Sequence, residues 1–134
     1  MFYLNEMERE HRHGDHGPKY LEQGPRMNFG IVKLQPGNVV SPHVHRIMQE
    51  SFFILEGCVT MYIEGVKVEL KKGDYIHLEP GEAHKICNEG SEVLRMVVTA
   101  CSLKHLTVSS ILCFISQTKL PWSIPFSYLF LRIV

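Results

Sequence analysis

From Met27 onward the chain alternates short apolar runs with polar turn residues. The runs are 27–34, 39–45, 51–56, 58–64, 66–71, 75–79, 83–88 and 93–100. Between them stand Pro36-Gly37, Glu56-Gly57, Glu64-Gly65, Lys72-Gly73-Asp74, Pro80-Gly81 and Glu89-Gly90. Runs of this length at this spacing suit antiparallel strands. Proline followed by glycine suits the two central positions of a type II turn, because Pro presets φ and Gly accepts φ > 0. No part of this core carries a sustained helical period. The pattern therefore predicts an all-β sandwich or small barrel over residues 27–100. On the strand that follows Glu50, Phe52 and Ile54 share the face of Glu50, and Ser51, Phe53 and Leu55 take the other. Phe53 and Leu55 are too apolar for a freely solvated face, so they pack a second sheet or a subunit contact.

The two ends have different textures. Residues 1–26 are polar, His-rich and punctuated by Gly and Pro, and read as an extended arm. Residues 101–134 are apolar at 19 of 34 positions and contain no acid. That extension could pack on the barrel or on a partner. It could lie at a membrane interface, though it has no clean amphipathic period. It could also be an aberrant end foreign to the fold, and the abruptness of the change favours this reading.

Composition narrows the function classes. The chain has 134 residues, one domain's worth, enough to bury a core without disulfide or metal staples. Fourteen Lys and Arg balance fourteen Asp and Glu. That balance argues against a protein that binds nucleic acid by neutralising phosphates. The zero is an average of unlike parts. All fourteen acids and ten of the cations lie in residues 1–92, a balance of −4, and residues 93–134 carry the compensating +4. The cysteines, Cys58, Cys87, Cys101 and Cys113, form no Cys-x-x-Cys pair. The N-terminus is charged from Glu6 and has no apolar h-region. A cytoplasmic protein with reduced thiols is expected. No apolar run approaches the roughly 18 residues of a membrane span.

The candidate chemistry is histidine-centred. His43 and His45 are spaced i, i+2, which puts both imidazoles on one side of a strand. Glu50 follows five residues later, and His84 stands just past the Pro80-Gly81 turn. The first half contains an echo: Leu34-Gln35-Pro36-Gly37 precedes His43 as Leu78-Glu79-Pro80-Gly81 precedes His84. Three neutral imidazoles with one carboxylate suit one divalent transition metal: Fe, Mn, Co, Ni, Cu or Zn. His77, Glu79 and Tyr62 are candidate acid–base groups if they line the same pocket. Arg95 either clamps a substrate carboxylate or, more simply, sits on a solvated face. Cys87 is off-parity from His84 and reads as a packing residue. The arm's His11-Arg12-His13 and His16 suggest a second metal site only weakly against a solvated arm. Gly17-Pro18-Lys19-Tyr20 either crosses the barrel mouth or merely links.

With the glycines added, the sequence resembles the cupin superfamily. The family's first motif is matched by Gly37, His43-Val44-His45, Glu50 and Gly57, with every spacing satisfied. Its second is matched by Gly73, Gly81, His84 and Asn88, with Glu79 at the proline site and the proline one residue later at Pro80. Fifteen residues, 58–72, separate the motifs, as in small single-domain cupins. The resemblance implies a double-stranded β-helix, a jelly-roll barrel with a metal inside one open end. It implies His43, His45, Glu50 and His84 as ligands, Gly37, Gly57, Gly73 and Gly81 as turns, and Asn88 in a structural or outer-sphere role. It also implies a homodimer. The expected function is a small metalloenzyme, oxygenase-like (a dioxygenase) or isomerase-like, acting on a small molecule. The alternative is a non-catalytic small-molecule-binding or sensor cupin. An acid–base group in the pocket would discriminate the two.

Overall fold

The computed structural model describes residues 1–102. Among the described residues there is one short 3-10 turn, Glu6–Glu8, and there are nine strands. These are β1 (Gly17–Gln23), β2 (Met27–Leu34), β3 (Val39–His43), β4 (Met48–Glu56), β5 (Cys58–Ile63), β6 (Val66–Lys71), β7 (Tyr75–Leu78), β8 (His84–Cys87) and β9 (Leu94–Ser102). They form two antiparallel sheets, ordered β1-β2-β9-β4-β7 and β3-β8-β5-β6. The all-β jelly roll is as expected.

Alternation decides which face is buried. On β4, Glu50, Phe52 and Ile54 point inward, while Phe53 is exposed. On β9, Leu94, Met96, Val98 and Ala100 do the same. Leu34, Val59, Met61, Leu78 and Ile86 fill the space between the sheets. Each such side chain contributes about 1.5–3 kcal/mol by leaving water.

The predicted runs and the strands coincide closely, with four differences, one being that β4 begins at Met48, ahead of the run expected from Ser51. The segment read as an extended arm contains β1, which pairs with β2 from Gly17↔Lys33 to Gln23↔Asn28. It is an edge strand, and an edge is where Pro18 is tolerated, since proline has no N–H for the ladder. β3 ends at His43, so His45 lies in the connection to β4 rather than on a strand. β9 runs on to Ser102, two residues past the expected end. The rest of the apolar extension 101–134, with Cys113, lies outside the described residues. No helix among the described residues is long and apolar enough to cross a membrane.

Both Pro-Gly turns behave as the sequence predicts. Gly37 has φ +82° and Gly81 φ +96°, and each turn closes with an N–H donated from its fourth residue to its first: Asn38 to the Gln35 carbonyl at 3.0 Å, Glu82 to the Glu79 carbonyl at 3.2 Å. In each, the fourth side chain also accepts from the first N–H: Asn38 Oδ1 at 2.8 Å and Glu82 Oε2 at 2.7 Å. The shifted proline leaves this turn intact. Each turn glycine also bonds to the other half of the barrel. Gly37 N–H donates to the Asn88 carbonyl at 2.9 Å, and Gly81 N–H to the His45 carbonyl at 2.8 Å. Gly57 is required for a different reason. At φ +76°, a Cβ there would lie 2.6 Å from the Val93 carbonyl oxygen.

Candidate metal centre

The sheet register brings the two histidine motifs together. His43, the last residue of β3, is the direct partner of His84, the first residue of β8. Their rings lie 4.3 Å apart, and the His45 ring is 5.1 Å from His43 and 5.9 Å from His84. Glu50 comes from the opposite sheet, near the start of β4. Its Oε2 is 3.1 Å from His84 Nε2 and 3.4 Å from His45 Nε2. One donor atom from each of the four residues lies within 4.8 Å of the others. Ligand bonds of about 2.1 Å leave neighbouring donors roughly 3.0–3.4 Å apart, so this pair of spacings fits a shared ion.

The ring tautomers also fit. His43 Nδ1 donates to the Ser41 carbonyl at 2.9 Å, and His84 Nδ1 to the Glu82 carbonyl at 3.0 Å. A carbonyl only accepts, so Nδ1 carries the proton and the Nε2 lone pair is left for a metal. Electrostatics divide the histidines. Burial lowers the His45 pKa, aided by His43 and His84 and opposed by Glu50. His84 is almost wholly buried, which also disfavours its charge, but Glu50 and the Glu82 carbonyl outweigh burial and raise its pKa. The cluster is thus able to bind a metal, and the Glu50 contact favours the charged form of His84.

Three of the four donors, His43, His45 and Glu50, lie in the wall of a pocket of about 550 Å³, and His84 is buried behind them. Its inner walls are apolar, from residues such as Val32, Leu34, Phe52 and Val98. Its lining also includes Arg12, His13, His16 and Tyr20, from the polar segment whose composition suggests a solvated arm. Gly17, Pro18 and Tyr20 line the pocket, while Lys19 is absent from the lining and donates to the Glu6 carbonyl at 3.2 Å. Local spacing carries no signal for this, because the arm reaches the pocket only through the pairing of β1 with β2.

The other sequence candidates lie elsewhere. His77 is exposed on the outer face, with Nδ1 2.9 Å from Ser51 Oγ and Nε2 3.4 Å from Glu79. Tyr62 donates to Glu89 at 3.1 Å, beneath Lys85 Nζ at 5.2 Å. None of His77, Glu79 and Tyr62 lines the pocket. Parity explains it: they follow the outward phase of β7 and β5. Arg95 is held outside the barrel by Glu6 at 2.9 Å and Glu56 at 3.0 Å. Cys87 is buried in packing, and Cys58, Cys87 and Cys101 are free. Asn88, 1% exposed, donates to the Leu34 carbonyl at 3.0 Å and the Glu92 carbonyl at 2.8 Å, and accepts from Gly90 N–H at 3.1 Å. Among the described residues, no second group of three or more metal-binding side chains occurs.

Comparison with known proteins agrees with the fold. The chain is 40% identical over 77 residues to an uncharacterized protein of Methanocaldococcus jannaschii, covering 58% of this chain and 62% of that one. It is 35% identical over 69 residues to an oxalate-binding protein of Thermotoga maritima, covering 52% of this chain and 57% of that protein. These matches span less than two thirds of each relative. Among solved structures, a double-stranded β-helix protein of Klebsiella pneumoniae superposes with a TM-score of 0.67 at 20% identity, covering 78% of this chain and 92% of that one. The family model described as the cupin domain matches residues 30–100, and the chain belongs to the cupin family.

Proposed function

We propose that the protein holds one divalent transition metal through His43, His45, Glu50 and His84 and is a small metalloenzyme of the oxygenase or isomerase class. The observation that carries this reading is the meeting of four donors, three of which, His43, His45 and Glu50, face a pocket with apolar inner walls. Four protein donors leave two positions of a six-coordinate ion for water or substrate. When bound, the metal would supply a Lewis-acid or redox centre at those positions. Glu50 then serves as a ligand, not as a base. The carbonyls of Ser41 and Glu82 hold two of the rings in place, and Phe52 and Val98 keep water from the reacting end of a substrate. Metal analysis of the purified protein, beside His84→Ala, tests the site. Stoichiometric metal in both proteins would refute it. Oxygen consumption against candidate small molecules then tests the oxygenase class.

One observation favours a second reading, a binding or sensor cupin without turnover. The acid–base candidates His77, Glu79 and Tyr62 are absent from the pocket lining. The similarity to an oxalate-binding protein points the same way. Tight binding of a small molecule with no chemical change over many hours would select it. Two further proposals accompany either reading. Phe53, 41% exposed on the outer face with Leu55, forms a homodimer contact, which sedimentation velocity at high concentration tests. The location is the cytoplasm, in keeping with the free thiols, and cell fractionation tests it.

A further inference from the structure

The charge of the pocket lining is unusual for a chain without net charge. Arg12 is the sole Lys or Arg in it, and Glu50 the sole acid. Glu50 is committed to His45 and His84. With a divalent ion at the cluster, the pocket would be strongly positive.

Arg12 is placed there by a built turn. Arg12 N–H donates to the Pro18 carbonyl at 3.0 Å, His13 N–H to the His16 carbonyl at 3.1 Å, and Gly14 N–H to the His11 carbonyl at 3.0 Å. His11 Nδ1 donates to the Gly17 carbonyl at 2.8 Å. Glycine is needed at Gly17, which has φ +91° and where a Cβ would lie 2.8 Å from the His13 ring. The Arg12 guanidinium carbon sits 5.9 Å from the centre of the Tyr20 ring, and Tyr20 itself lines the pocket. Stacking of this kind leaves the N–H edge of the guanidinium open for a carboxylate. Among the described residues, no Asp or Glu pairs with Arg12, whereas Arg95 has two such partners. The neighbouring His16 is already engaged by Asp15 at 2.7 Å.

We propose that the His11–Pro18 turn is the specificity element of this pocket, and that Arg12 receives the carboxylate of an anionic small molecule whose other end lies at the four-donor cluster. The proposal rests on the reading of the cluster as a metal site. His13, beside Arg12, is the secondary contact. The ligand class is a small acid with a chelating group at one end and a carboxylate at the other. Arg12 is exposed at the rim, so solvent screening holds its contribution to on the order of tenfold in affinity.

The test uses matched probes on the full chain loaded with Mn(II). 2-Oxoglutarate and 2-oxopentanoate share a chelating 2-oxo acid head and differ in the distal carboxylate. 2-Oxoadipate and 2-oxohexanoate repeat the comparison with a longer tail. Titration calorimetry of the wild type is expected to favour the diacid about tenfold in at least one pair. In Arg12→Gln the preference falls to near unity while binding of the monoacid is unchanged. Arg12→Lys, which keeps the charge but not the fork, is intermediate, and Arg95→Gln retains the full preference. No diacid preference in the wild type, or one that survives in Arg12→Gln, overturns the proposal. Metal content is measured in parallel. A protein that takes up no metal yet keeps an Arg12-dependent preference upholds the rim and refutes the cluster. A metal-loaded protein without that preference does the reverse.

Discussion

Asn88→Ala separates a structural role from one at the metal. The side chain is 1% exposed and makes three hydrogen bonds, two donated to the carbonyls of Leu34 and Glu92 and one accepted from Gly90 N–H. They tie the end of β2 to the loop that leads into β9. Alanine removes all three, at about 1 kcal/mol each, so the loss is about 3 kcal/mol. In a domain of this size that lowers Tm by about 10–20 °C. None of the three partners belongs to a metal-binding residue, so metal per folded molecule should be unchanged. Asn88→Asp keeps the acceptor for Gly90 but sets a carboxylate against two carbonyls, and should cost at least as much. The assay is urea and thermal denaturation followed by circular dichroism, with and without EDTA, beside metal analysis of the folded protein. A loss below about 1 kcal/mol would refute the tie between β2 and the loop. Loss of metal with stability intact would move Asn88 into the centre's own chemistry.

The remaining expectations are of three kinds. His84→Ala should lose stoichiometric metal, because it removes a donor and leaves Glu50 Oε2 without its contact at 3.1 Å; equal metal in variant and wild type contradicts this. The raised His84 pKa stabilises the metal-free fold below the ordinary value of 6.5, and that contribution is lost as pH rises through the folded pKa. Metal needs the deprotonated ring, so the Tm gain on adding metal should widen from about pH 6 to about pH 8, and a constant gain would refute the sign. Gly57→Ala should cost more than Gly37→Ala, although both have φ > 0. At Gly37 a Cβ meets nothing within 4 Å and only the backbone penalty of about 1–2 kcal/mol applies, whereas at Gly57 it strikes the Val93 carbonyl. Equal urea midpoints for the two variants would be evidence against that packing.

Much of this barrel was legible in the chain itself. The period-2 runs and Pro-Gly turns define eight of the nine described strands, since alternation and turn chemistry are local properties. The inward set Glu50, Phe52 and Ile54 follows from parity alone. The motif spacings pick out His43, His45, Glu50 and His84, which the structure brings together. Long-range pairing decided the rest. His43 meets His84 because β3 and β8 lie in register, a contact across 41 positions that no local pattern encodes. Parity could not carry the phase of Tyr62, His77 or Glu79 from the motif residues, because turns intervene and reset it. The polar segment before Met27 resembles a solvated arm by composition. It becomes a strand and brings Arg12 to the pocket only because the exposed edge of β2 offers it unpaired N–H and C=O groups. Residue chemistry therefore determined what the site is made of. Sheet register and edge pairing, which depend on residues far apart in sequence, decided what faces it.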